Sequence, residues 1–401
     1  MKVKLRPKEI LINFIYFLFV IGFFRGTALS GFKMFSGLHV LDQIFTLFQY
    51  IGMVYILIAF FLYCRKITTY DMLLYVFLII ILISTALSGV ELNEALNFTE
   101  KIFFVVLWFK TIYKMNNIMR LKAFVNGLNI LQCINLVFML IFYGGAQYAN
   151  SDTVMGTVGH VYLLGYDNGL LMYALPTVVL NYYLFSKEKN ILYKIFIVIV
   201  SSQVIISGSV TGIIALLLTF LFFNYEFLAK IFSGIRGIVL SVVVFVGLAT
   251  MTIQQWISPL LNSLDKGLTL SGRTEIWQWA LSYIKNSKMI GYGYSTERAR
   301  NVFFWKLGIT AAHSQLLDLL LQGGVVCLVI YIILYISSQR QSLKIYKETK
   351  KSFWKLLFVV EMVFFFVMIV ESYSSYAAYP LLFVLFEMGR ISKKNKIVLG
   401  D

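Results

Sequence analysis

Long apolar runs, broken by short polar stretches, recur from one end of this chain to the other, and runs of this kind read as membrane-spanning helices. Twelve are legible, at about 10–24, 44–64, 72–90, 102–114, 124–144, 169–186, 191–207, 210–224, 237–253, 314–336, 354–371 and 377–389. The fourth and the last are short for a hydrocarbon core of about 30 Å, so each is expected to be tilted, extended or packed among neighbours. Only the hexapeptide Ser207-Gly208-Ser209-Val210-Thr211-Gly212 separates the seventh from the eighth, which predicts a tight reversal. A larger polar insertion, about 254–313, falls between the ninth and tenth spans. The pattern predicts an all-α integral membrane protein of about twelve helices, with residues 1–401 as one polytopic domain carrying that insertion. No period of 20–50 residues suggests a repeat array.

Composition agrees with the pattern. The 401 residues are 59% hydrophobic and 13% charged, against about 25% charged in soluble domains. A formal charge of +16 would suit nucleic acid or an anionic surface, but in a many-span protein Lys and Arg collect in cytoplasmic loops and set the topology; no nucleic-acid partner is expected. With the N-terminus inside, 25 of the 35 Lys and Arg fall in cytoplasmic segments. The reverse orientation inverts that ratio, so both termini are expected in the cytoplasm. The first twenty residues resemble a signal peptide without a small-residue cleavage site and read as an uncleaved first span. Cys64, Cys133 and Cys327 lie in or beside apolar runs, with no metal-ligand spacing.

The orientation puts the 254–313 insertion outside, where it runs against the charge trend. It holds Lys266, Arg273, Lys285, Lys288, Arg298, Arg300 and Lys306 against Asp265, Glu275 and Glu297. Long loops translocate regardless of charge, so this is either a solvated face or a site for an anionic ligand at the outer surface. Ile276, Trp279, Ala280 and Tyr283 recur at i, i+3, i+4 and i+7, predicting an amphipathic helix. Its Trp277, Trp279 and Tyr283 suit the headgroup level. Gly291 and Gly293 then mark a turn presenting Tyr292 and Tyr294, either to a sugar face or as interfacial anchors. His313 stands where the loop re-enters the membrane; it either caps a helix or takes a proton from an attacking hydroxyl. Asp167 and Asn168, at the outer start of the sixth span, either touch substrate or cap. Glu361 lies inside the eleventh span and Glu371 near its outer end; an intramembrane carboxylate is a functional candidate, and Glu361 is the feature that favours a transporter. No Asp-x-Asp metal motif occurs, so a metal-independent reaction is expected, with guanidinium groups neutralising a departing phosphate.

The stretch SGRTEIWQWALSYIKNSKMIGYGYS, followed by AHSQLLDLLLQGGVVCLVIYI, resembles the loop region of the O-antigen ligase and polymerase (Wzy-type) superfamily. The pattern G-R-x-x-x-W, helix, G-x-G, H-[NS]-x-x-L-x-x-L-x-x-x-G maps to Gly272, Arg273, Trp277, Gly291, Gly293, His313, Ser314, Leu317, Leu320 and Gly324. The detailed likeness covers about 55 residues counted along the chain. It implies a GT-C-type membrane glycosyltransferase using undecaprenyl-diphosphate-linked oligosaccharides as donor and acceptor, with no metal, cofactor or nucleotide sugar. By that resemblance Arg273 grips the donor diphosphate, and His313 activates an acceptor hydroxyl that attacks with inversion. Relatives often carry another arginine in a turn of pattern S-x-S-R-x-G, where this chain has Val210. Either Arg298 or Arg300 takes that part, or the donor is held differently.

Taken together, these features predict a polysaccharide polymerase on the outer face of a bacterial inner or plasma membrane, making capsule, O-antigen or another exopolysaccharide. His313 and Arg273 are its expected catalytic residues; Arg298, Arg300, Tyr292, Tyr294, Trp277, Asp167 and Asn168 are expected to contact substrate. A flippase, a chain-length regulator and membrane lipids are the expected partners. The rivals are a ligase, which passes finished glycan to lipid A core, protein or wall polymer, and a lipid-glycan flippase or transporter.

Overall fold

A computed structural model describes residues 7–26, 39–64, 67–115, 118–145, 147–148, 160–256, 258–259, 272–306 and 309–391. The N-terminal basic run as far as Arg6, and Asp265 and Lys266 of the polar insertion, lie outside these residues. A helix stands at each of the twelve apolar runs. They are α1 (Pro7–Phe24), α2 (His39–Tyr63), α3 (Thr69–Leu87), α4 (Asn93–Lys114), α5 (Ile118–Ile141) and α6 (Leu170–Glu188). Then come α7 (Ile191–Ile206), α8 (Val210–Asn224) and α9 (Gly234–Ala249). After the helix α10 (Arg273–Ile284) within the insertion, the bundle closes with α11 (Gln315–Thr349), α12 (Ser352–Val367) and α13 (Pro380–Ile391). Among the described residues the sheet is small, three short antiparallel strands ordered β1 (Gln147–Tyr148), β2 (His160–Tyr162) and β3 (Gly165–Tyr166). Among the described residues five helices are long and apolar enough to cross a membrane on length and composition alone, and α1, α7, α8 and α9 are shorter apolar helices. This is a multi-pass, all-α membrane protein.

Burial separates the inner helices from those facing lipid. α6 and α12 are buried along nearly their whole length, and the twelve residues of α13 pack beside them. Being enclosed by protein, α13 does not need the length of a lipid-facing span. The fourth span meets the same demand differently: α4 begins at Asn93 and is 22 residues long. By contrast α2, α7, α8 and α9 expose Phe61, Val198, Phe220 and Val243. Apolar rows this continuous would be an aggregation hazard in water and are what a lipid tail accepts.

Several polar groups buried in the bundle pair across helices. Asn129 and Asn181 exchange side-chain hydrogen bonds between α5 and α6, and Asn135 donates to Gln203 at 2.7 Å. At one end of the bundle Asp71 meets Lys110 at 2.5 Å and Arg390 at 3.3 Å, and Arg390 meets Glu387 at 2.7 Å, joining α3, α4 and α13. Glu361, the carboxylate that pointed to transport, is fully buried and accepts a hydrogen bond from Ser338 of α11.

Residues of the polar insertion share a second, smaller apolar core with α9 and α11. Ile276, Trp277, Ala280, Phe303 and Phe304 fill it with Leu248, Leu317 and Leu321. This corrects the expected face of α10. The buried stripe runs through Thr274, Ile276, Trp277 and Ala280, while Trp279 and Tyr283 are only half-buried. Docking between α9 and α11 turns the helix so that Trp277 packs on Phe245 at 5.2 Å between ring centroids. An indole buried on all sides is a packing residue, with no ring face left for a headgroup or a ligand.

Candidate active site

Four segments converge at the end of the bundle opposite the Asp71–Arg390 cluster: the last turn of α3, the insertion, the start of α11 and the connection after α12. Their meeting depends on a break in α11. Gly324 has φ 66° and ψ −165° inside the helix, a conformation essentially confined to glycine. The break frees the carbonyls of Leu321 and Gln322, and the segment 287–293 crosses there to use them. Tyr292 N–H donates to Leu321 O at 2.6 Å, Gly293 N–H to Gln322 O at 3.0 Å, and Val325 N–H to Lys288 O at 2.8 Å. The approach is so close that a Cβ on Gly291 would lie 2.6 Å from the Leu321 oxygen, and one on Gly324 2.2 Å from the Met289 carbonyl. The spacing of G-x-G and the distant glycine in the sequence pattern is therefore the geometry of one crossing.

The insertion is then fastened to neighbouring helices. Ser84 donates to Ile290 O at 2.7 Å, Thr85 accepts from Tyr294 N–H at 3.0 Å, and Glu94 accepts from the Thr296 hydroxyl at 2.8 Å. Arg298 donates to the carbonyls of Ser88 at 2.7 Å and Tyr292 at 3.1 Å. These bonds hold the loop against α3 and α4.

Arg273 is the first residue of α10, after Gly272 at φ 81°. A cation at a helix N-terminus opposes the helix dipole, so its charge needs a partner elsewhere. Glu371 supplies it: Arg273 Nη2 lies 2.7 Å from Glu371 Oε2, and Nη1 donates to the Val370 carbonyl. The other oxygen of the same carboxylate lies 3.6 Å from His313 Nδ1, close enough for electrostatic contact but long for a hydrogen bond. Glu371 thus stands between the two residues that the sequence singled out. It lies outside α12, in the connection to α13, with its side chain 2% exposed. Burial alone would raise its pKa; the Arg273 and His313 side chains outweigh that and hold it below the ordinary carboxylate value.

His313 takes φ 48°, in the left-handed region, which costs a non-glycine residue about 1–2 kcal/mol. Its neighbours hold it there. Ala312 N–H donates to Asp318 Oδ1 at 2.8 Å, and Gln315 N–H donates to Met368 O at 2.9 Å and Glu371 O at 3.1 Å. The Gln315 side chain in turn accepts from the Tyr373 and Ser374 N–H groups at 2.9 and 3.0 Å. Gln315 therefore locks the Glu371 segment to the His313 segment. Nδ1 faces Glu371, and the side chain is one-third exposed.

The remaining expected contacts divide. Tyr294 stacks on Phe98 at 4.4 Å beside a pocket, whereas Tyr292 packs on Phe303 and donates its hydroxyl to Tyr283 O at 2.9 Å. Arg298 is committed to the backbone carbonyls named above, and Arg300 is exposed. Asn168 accepts from Ser209 at 2.6 Å, tying the 167–168 turn to the reversal at 207–212, where half-buried Val210 begins α8. Tyr376 bridges toward this turn. A Cβ on Gly169 would lie 2.2 Å from its ring, and its phenol pKa is raised chiefly by burial, then by Glu371 and Asp167. Gln315 and Asp318 were not read from the sequence as site residues, and Glu371 was read only as a carboxylate at a span's end.

A family model described as O-antigen ligase matches residues 195–332, from α7 into α11 and including Arg273 and His313. The match supports the resemblance to the O-antigen ligase and polymerase superfamily and indicates a glycosyltransferase-like membrane enzyme. No curated protein matches the chain significantly.

Proposed function

We propose that this protein is a polysaccharide polymerase of the outer face of a bacterial plasma membrane. It would transfer a growing glycan from undecaprenyl diphosphate to the next lipid-linked repeat unit. The observation that carries this reading is the bridge from Arg273 through Glu371 to His313. It gives a base, the carboxylate that orients it and a guanidinium within one site. The excess of Lys and Arg in the other set of loops supports an external position for this end.

In the proposed reaction His313 Nε2 takes the proton of an acceptor hydroxyl, and Glu371 steadies the imidazolium that forms. The hydroxyl oxygen attacks the donor's anomeric carbon, and the bond from that carbon to the diphosphate oxygen breaks with inversion. Undecaprenyl diphosphate leaves with the electron pair. Arg273, whose Nη atoms face Val370 and Glu371, offers its remaining donors to the diphosphate, and exposed Arg300 offers a second cation. Neither needs a metal ion.

The polymerase and ligase readings share the donor chemistry and differ in the acceptor. The lipid-linked glycan that accumulates when the chain is deleted separates them. Single repeat units are the result expected of a polymerase. Full-length lipid-linked polymer would make the protein a ligase, and repeats confined to the inner leaflet would make it a flippase.

A further inference from the structure

Four ionisable side chains meet where α10, α11 and the connection after α12 come together: Arg273, His313, Asp318 and Glu371. Three of them have a part in the proposed reaction, and Asp318 has none. It is 4% exposed, and neutral donors occupy both of its oxygens: Ala312 N–H at 2.8 Å on one and the Ser372 hydroxyl on the other. Among the described residues no Lys or Arg pairs with it, and the charge it senses is that of His313. A buried carboxylate without a cation is costly, and two hydrogen bonds from neutral groups offset only part of that cost.

The charge balance of the cluster gives this carboxylate a use. Glu371 is already matched by Arg273 at 2.7 Å, so the pair has little net charge to offer a third group. While His313 is neutral, the charge of Asp318 is unmatched. When His313 accepts a proton, the cluster becomes neutral as a whole. A charge that is uncompensated at rest and compensated once the proton has moved favours the reacting state over the resting one. Asp318 is also fixed beside both halves of the site, because Ala312 precedes His313 and Ser372 follows Glu371.

We propose that Asp318 is the counter-charge of the His313 imidazolium, a positioning residue that stabilises the protonated base without touching substrate. The inference rests on the reading of His313 as the base and adds the residue that balances it. The other charged groups around the imidazole are Glu371, from the connection after α12, and through it Arg273 of α10. The phenols of Tyr294, Tyr373, Tyr376 and Tyr379 lie near the two carboxylates and carry no charge near neutral pH.

The test follows the proton itself. The chain holds three histidines, so NMR of isotope-labelled histidine in the full chain, in nanodiscs, can titrate each one, with His313→Ala to assign the signal. Asp318→Asn keeps the shape and an acceptor for Ala312 N–H but removes the charge. It should lower the His313 titration midpoint by about one pH unit. It should also slow transfer between about threefold and tenfold, with KM for the lipid-linked donor unchanged. Ser372→Ala breaks the tie and leaves the charge, so its midpoint should lie at or above that of the wild type. A wild-type midpoint in Asp318→Asn, or a midpoint lowered by Ser372→Ala, overturns the inference. Should Asp318→Asn fail to insert, Ser372→Ala decides it alone. If His313→Ala transfers glycan at the wild-type rate, the base reading itself fails. If His313→Ala is inactive and the Asp318→Asn midpoint is unmoved, only the part given to Asp318 is lost.

Discussion

Arg273 and Glu371, 98 residues apart in the chain, form an ion pair of 2.7 Å in which the carboxylate is almost wholly buried. Glu371 also faces His313, so one buried carboxylate sets the position of both groups that the sequence nominated for catalysis.

Removing that charge should be costly in two ways. Glu371→Gln keeps the shape but leaves Arg273 as an unpaired, half-buried cation at the unfavourable end of α10, at a cost of about 3 kcal/mol in stability. Arg273→Ala should cost a similar amount, and the double variant with Glu371→Ala should fall well short of the sum. Thermal unfolding in detergent measures all of these. Additive losses would mean that the pair does not act as a unit.

The same pair predicts a pH dependence. Glu371 is held below its ordinary value of 4.5 in the folded protein, so the unfolded chain takes up the proton first as pH falls. The stability from the pair is therefore complete above about pH 4.5 and is lost as pH drops through the lower folded value. Wild-type thermal midpoints should decline in that acid window, and Glu371→Gln should give a flatter curve there. Parallel curves would contradict the assignment.

His313 separates stability from function. At φ 48° a glycine relieves backbone strain, so His313→Gly should unfold no earlier than His313→Ala, and later by up to about 1 kcal/mol. Both variants should lose transfer equally. Activity recovered by glycine would show that the backbone, and not the imidazole, is what the site needs.

Gly324 tests the crossing. Gly324→Ala forces a Cβ into the Met289 carbonyl at a backbone conformation reserved for glycine. The segment 287–293 should detach, so limited proteolysis should cut between residues 284 and 298 far faster than in the wild type. Transfer should fall more than tenfold, because the insertion loses its bonds to Leu321 and Gln322. A wild-type digestion pattern would remove the crossing from the account.

How much of this was legible beforehand follows from what each signal encodes. The twelve runs were readable because each span must satisfy its own backbone and expose or bury an apolar surface, which periodicity and length record directly. Arg273 and His313 were readable from a motif. Glu371 could not be joined to them, since nothing local in the sequence tells a carboxylate at a span's end that its partner lies 98 residues away. Gln315 was hidden for a related reason: its role is to satisfy the Tyr373 and Ser374 backbone across a tertiary contact. The face of α10 was misread because Trp277 and Trp279 are equally apolar, and only docking on Phe245 decides which turns inward.

The most direct test of the account is transfer by the purified protein, supplied with single lipid-linked repeats isolated from a strain lacking this chain. Wild-type protein should join them into longer lipid-linked glycans and release undecaprenyl diphosphate. His313→Ala, inserted normally, should slow that joining by about a hundred-fold to ten-thousand-fold, the usual worth of a general base. Chain growth at the wild-type rate in His313→Ala would contradict it.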